Sequence, residues 1–170
     1  MPELLAPEIL FSGKLNQAPF SKESDNFSLA IHIFRLLMMN ADPFCAKLIG
    51  RNSDPAEDFD TIRSILNGES PFFRKLKNKV VPPWAPPLDL LPDDIINAFK
   101  RTLCYTQTTV VSNIKNRTTA NEWKELLFGY VQPEPNPKLT TCPEHHVYSA
   151  HRAKCPFCEI NGKNNSTLKF

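Results

Sequence analysis

Ser24-Asp25-Asn26-Phe27-Ser28-Leu29-Ala30-Ile31-His32-Ile33-Phe34-Arg35-Leu36-Leu37-Met38-Met39 decides the fold, being too apolar for a surface helix and too polar to span a membrane. Phe27, Ala30, Ile31, Phe34, Leu37 and Met38 keep a helical period, while Leu29, Ile33 and Leu36 put apolar bulk on much of the other side. The pattern predicts a central helix wrapped by others. Ser24 or Asp25 is placed to cap its start by accepting from free backbone N–H groups. About fifteen residues at 1.5 Å rise give roughly 22 Å, short of a bilayer core, and His32 and Arg35 interrupt the apolar run.

Upstream, Pro2, Pro7 and Pro19 break regular structure, so residues 1–23 read as an irregular arm in which Leu4, Leu5, Ile9, Leu10 and Phe11 pack as a short helical turn ending near Gly13. Downstream, Asn40-Ala41-Asp42-Pro43 stops the central helix. A second helix is expected from an Asp54 cap with Pro55 and Glu57, burying Phe59, Ile62, Ile65 and Leu66 until Asn67-Gly68 ends it. Ser70–Pro87 reads as loop, with Lys75, Lys77 and Lys79 as a solvated basic patch and Trp84 anchoring the stiff run Val80–Pro87 to the body. Pro92-Asp93-Asp94 opens a helix with its carboxylates near the positive end, and Ile95, Ile96, Phe99 and Leu103 supply its buried stripe. Thr119 and Glu122 form a capping box for a last core helix carrying Trp123, Leu126 and Leu127. Those carboxylates belong to helix geometry before any acid–base chemistry.

A chain of 170 residues can bury one core with room for a small appendage. Its charge of +2 comes from 20 basic and 18 acidic side chains spread along the sequence, which leaves no electrostatic footprint for nucleic acid. No basic segment followed by an apolar run opens the chain, and no stretch reaches eighteen apolar residues, so no membrane association is expected and a cytoplasmic setting is the default. Sixteen prolines stand against 5 glycines, and neither GxGxxG nor GxxxxGK occurs.

Five cysteines are an odd set for disulfides, and three crowd between 142 and 158. Cys45 and Cys104 sit among apolar neighbours as small buried hydrophobes. Cys142-Pro143-Glu144-His145-His146 followed by Cys155-Pro156-Phe157-Cys158 places two pairs of ligands on two tight turns. Cys142, His146, Cys155 and Cys158 make the preferred set. His145 is an alternative to His146, and His151, in the intervening loop, is a poorer one. Structural zinc is the expected metal, because four protein ligands leave no water to activate. Tyr148 and Phe157 would form the miniature core of this knuckle. Arg152 and Lys154 beside it are weak grounds for phosphate contact.

Ala6-Pro7-Glu8, then Ser24-Asp25-Asn26-Phe27-Ser28-Leu29-Ala30, then Asp42-Pro43-Phe44, and finally Asn116-Arg117-Thr118-Thr119-Ala120-Asn121-Glu122-Trp123 occur in an order that resembles a protein kinase. The first three elements look like the end of an activation segment running into the large central helix of the C-terminal lobe. The last looks like the element that carries an arginine before the final lobe helices. The match is most similar to divergent bacterial kinase-like proteins whose C-lobe is followed by a small Cys/His zinc segment. It implies a buried ion pair between Glu8 and Arg117, and a role for Asp25 in bracing the catalytic loop of an intact kinase. Asn26 lacks the usual aromatic bulk near its position, and Cys45 replaces the small residue often found after the Pro-Phe pair.

The HRDxxxxN loop, DFG, the VAIK-like lysine and the glycine-rich loop do not occur, and Met1 falls just upstream of the APE-like motif. The resemblance therefore implies a mainly α fold, a kinase-like C-lobe bundle without N-lobe or catalytic loop, plus a zinc-ribbon or zinc-knuckle appendage. Residues 1–131 would be the partial lobe, 132–140 a proline-rich linker, 141–160 the knuckle and 161–170 a flexible tail. Such a chain would hold no ATP site and transfer no phosphate alone. It would act as a scaffold or docking surface for a polypeptide bearing the N-lobe or catalytic loop, or for another protein partner. An unrelated helical interaction module with a zinc knuckle is the alternative, and a nucleic-acid binder ranks below it.

Overall fold

The central helix, α2, spans Lys22–Leu37 and starts one turn earlier than expected. Its N-cap is Ser21, whose hydroxyl accepts from the Ser24 N–H at 3.2 Å while the Ser24 hydroxyl accepts from the Ser21 N–H at 2.9 Å. Ser24 is thus the second member of a capping box and not the cap, and Asp25 lies within the first turn. The computed structural model describes residues 2–12, 20–49, 60–132 and 136–167. The expected helix start at Asp54, Pro55 and Glu57, together with Phe59, Gly13, Pro19, Pro133 and Pro135, lies outside the described residues.

Phe27, Ala30, Ile31, Phe34 and Met38 of this segment are fully buried, each side chain worth about 1.5–3 kcal/mol of burial for the larger ones. Phe34 is the hub: its ring meets Phe72 and Phe99 edge-on, both at 5.1 Å, and Phe99 continues to Trp123 at 4.7 Å. The helix is not wrapped all round. Leu29 and Ile33 are half-buried and Leu36 is 84% exposed, so one stripe, not two, faces the core. Its end is set by Met39 and Asn40 in the left-handed region and by Asp42, which takes the Arg35 guanidinium at 2.5 Å and caps the Phe44 N–H at 2.8 Å.

The arm before α2 is a 3-10 turn, Pro2–Leu4, and a short helix, α1, Pro7–Phe11. The Ser28 hydroxyl donates to the Leu4 carbonyl at 2.7 Å and ties the arm to α2. Leu4, Leu5, Ile9 and Leu10 pack on the core; Phe11 is exposed instead.

Helix α3, Thr61–Asn67, is capped by Asp60, which accepts from the Arg63 N–H. Asp60 is extended, so no helix runs unbroken from position 55 into α3. Gly68 closes α3 at φ +63°, and a Cβ there would lie 2.2 Å from the Tyr105 carbonyl oxygen. Only glycine fits.

The stretch read as loop contributes a strand. Strand β1, Lys47–Leu48, pairs antiparallel with β2, Lys79–Val80. Lys79 is taken out of the basic patch by Glu69, at 2.5 Å. Beyond β2, the Ala85 N–H donates to Pro82 O, which puts Pro83 and Trp84 at a turn tip. Trp84 is 66% exposed, and Pro82 and Pro86 are the buried residues that anchor the run. Its expected role as anchor is corrected: reversing the chain between two buried prolines leaves the indole outside.

After another 3-10 turn, Leu88–Leu90, follow α4, Asp93–Leu103, α5, Val110–Ile114, and α6, Ala120–Phe128. Helix α4 packs on α2, α5 and α6. The capping box of α6 uses Thr119 and Glu122. A hairpin of β3, Leu139–Thr141, and β4, Val147–Ser149, then leads to α7, Pro156–Thr167. The stretch assigned to a linker therefore ends inside a strand, and part of the assigned tail is helical.

Candidate metal centre

Cys142 leaves β3 and His146 enters β4, so the turn between them decides whether both can face one point. His145 takes φ +60°, its N–H donates to Cys142 O at 2.9 Å, and the Cys142 N–H donates to His146 O at 3.1 Å. That left-handed residue turns His145 outward, where it is exposed, and brings His146 back over Cys142. Cys155 immediately precedes α7, its carbonyl accepting from the Glu159 N–H, and Cys158 lies in the first turn of that helix.

His146 Nδ1 lies 3.5, 3.6 and 3.4 Å from the sulfurs of Cys142, Cys155 and Cys158, and Cys142 Sγ is 3.8 Å from Cys158 Sγ. All four ligand atoms fall within 4.8 Å of one another. A tetrahedral zinc ion, with Zn–S of about 2.3 Å and Zn–N of about 2.0 Å, separates its ligands by roughly 3.5–3.8 Å. The donor set and its spacing fit that ion. Burial, then the Cys155 and Cys142 thiols, push the Cys158 thiol up to about 12. Phe157 stands 5.6 Å from the His146 ring. With four protein ligands such an ion supplies cross-linking, and no position is left for water.

His151 lies outside the cluster. Its Nε2 donates to the Asp89 carbonyl at 3.1 Å and its Nδ1 faces the Ser149 hydroxyl at 2.9 Å. Arg152 is not turned to solvent for an anion. Its side chain is 13% exposed and meets Asp89 and Glu159. The sequence holds no signal for the Asp89 contact, which is made 63 positions away and in part to a backbone carbonyl.

Glu8 and Arg117 meet. Arg117 Nη1 donates to Glu8 Oε1 at 2.6 Å and Nη2 to Oε2 at 2.8 Å, a two-pronged bond. Nη1 also reaches the Glu23 carbonyl at 2.9 Å, and the guanidinium lies over the Phe27 ring at 5.2 Å. The arginine side chain is wholly buried and that of Glu8 is 17% exposed. Asp25 is exposed in the first turn of α2. Cys45 and Cys104 are half-buried, and burial pushes the Cys45 thiol up to about 11, which makes it inert. Sequence reasoning also missed the Thr118 hydroxyl, buried on Ala98 O at 2.6 Å, and Asn136, whose amide holds Gly129 O at 3.1 Å.

Among the described residues no helix is long and apolar enough to cross a membrane. No family profile and no solved structure matches the chain. It is similar to Protein kinase YegI of Escherichia coli K12, 26% identical over 145 residues, which is 84% of this chain and 20% of that protein. It is similar also to Protein kinase YegI of Escherichia coli O157:H7, 27% identical over 139 residues, 82% of this chain and 20% of that one. The chain spans about a fifth of the length of these curated relatives, and its relationship to kinase-family proteins is a distant one.

Proposed function

We propose that this chain is the noncatalytic C-lobe portion of a serine/threonine protein-kinase-like protein, a scaffold or docking surface that carries a structural zinc site. The observation that supports this most is the two-pronged bond between Glu8 and Arg117, side chains 109 positions apart. It ties the opening arm to the buried hub as an activation-segment end is tied to a kinase lobe. The distant likeness to two proteins named as kinases agrees with it. The catalytic aspartate, the metal-binding positions and the ATP-gripping lobe would be supplied by other polypeptide, and Asp25 would brace its catalytic loop. Cys142, His146, Cys155 and Cys158 would hold the zinc, and the exposed Leu36 and Trp84 offer apolar contacts to a protein partner.

The test is co-expression with a polypeptide that carries an N-lobe and catalytic loop, followed by co-purification and a phosphotransfer assay. The chain alone transfers no phosphate, and the pair forms a stable complex. A chain that stays monomeric and ignores every such polypeptide contradicts the docking role.

A further inference from the structure

The Cys/His segment is seated on the helical body, and its grip is built from residues that the ligands bracket. His146 begins and Cys155 ends the stretch 147–154, within which lie β4, His151 and Arg152. Arg152 Nη1 donates to the Asp89 carbonyl at 2.9 Å and pairs with Asp89 Oδ1 at 2.8 Å. Its Nη2 donates to Glu159 Oε2 at 2.7 Å, one residue past Cys158. His151 Nε2 donates to the same Asp89 carbonyl.

That carbonyl lies within the 3-10 turn Leu88–Leu90, whose own bonds use the Pro87 and Leu88 carbonyls, and the residue three further on is Pro92, which has no N–H to give. Arg152 in turn is held in place from the metal side, by Glu159 on α7. A second set of bonds lies alongside: Lys138 reaches Asp94 at 3.4 Å, and the Tyr130 hydroxyl donates to Asp94 at 2.7 Å.

We propose that Arg152 and His151 form a metal-set clamp on the loop 88–94, so that zinc occupancy decides whether the Cys/His segment is docked on the helical body. This rests on the zinc reading above and names the surface that the site acts upon. Three-residue strands, the buried Cys142 and Cys155 and the half-buried Phe157 give the segment little of its own to stay folded. Without a cross-link at both ends of 147–154, the geometry that aims Arg152 at Asp89 is lost to chain entropy.

Amide hydrogen exchange on the full chain, read by mass spectrometry beside zinc content, tests it. With one zinc per chain, Arg152→Gln keeps the metal and raises exchange roughly tenfold at Leu90 and Leu91, whose amides the turn bonds to Pro87 O and Leu88 O, as expected for losing charge-assisted bonds to a local opening. Chelation raises exchange there and at 139–158 together, while α4 beyond its first turn, residues 97–103, stays protected. Absence of bound zinc would sink the zinc reading and the clamp with it. Zinc that is bound and lost without any change at 88–94, together with an Arg152→Gln variant that exchanges like the parent, overturns the clamp and leaves the zinc reading standing.

Discussion

At the scale of single residues, Arg117 carries the largest penalty for error. Its charge sits wholly inside the protein, and its desolvation is offset by Glu8, the Glu23 carbonyl, the Asn113 side-chain oxygen and the Phe27 ring. Removing one partner strands the other. Arg117→Met, or Glu8→Gln, is expected to lower unfolding free energy by about 3–5 kcal/mol, measured by urea denaturation, whereas the double replacement recovers part of that loss. Single variants as stable as the parent would show that the pair ties nothing. Gly68 makes an independent prediction. Gly68→Ala meets both a left-handed φ and a carbonyl oxygen at 2.2 Å, and should cost about 3 kcal/mol or more, against a few tenths for a glycine replaced on the open surface.

At the scale of elements, what the sequence disclosed was what is local. The Thr119–Glu122 capping box, the Asp42-Pro43 stop and the Gly68 terminus each rest on residues within a turn of one another, and each can be read from spacing. The start of α2 misleads because its capping box uses serine where glutamate or glutamine is the usual signal, which moves the apparent cap from Ser21 to Ser24. The β1–β2 pair has two residues a strand and shows no period at all. At the cluster, ligand spacing was legible, but the choice of His146 over His145 depends on a left-handed backbone at 145 that no histidine announces. The α6 box has a consequence for acid stability. The Thr119 N–H, then Arg101 and the Thr119 hydroxyl, hold the Glu122 carboxyl down to about 2. A folded value below the unfolded one adds stability that is complete above the ordinary carboxylate range, near 4.5, and is lost as pH falls toward 2. Because the side chain is 42% exposed, solvent screening keeps the effect under about 1 kcal/mol. The stability difference between parent and Glu122→Gln should therefore be present at pH 6 and shrink by pH 2.5.

At the scale of the whole molecule, both tryptophans of the sequence belong to the helical body and neither to the Cys/His segment. Trp123 is 1% exposed against Phe99, deep in the aromatic chain that runs through Phe34, whereas Trp84 is 66% exposed at its turn tip. The body draws its stability from that apolar chain, none of which belongs to residues 139–160. Burial of one large aromatic contributes about 3 kcal/mol, so the assembled core has no need of a metal to remain folded. The Cys/His segment has no comparable core, and binding of its ion is the main term available to it. In Trp84→Phe protein the remaining emission should accordingly be blue-shifted and resist acrylamide, and chelating zinc should leave both properties and the helical circular dichroism nearly unchanged. If chelation instead reddens Trp123 in step with metal loss, the body and the segment fold as one unit, and the division of the chain near residue 132 is wrong.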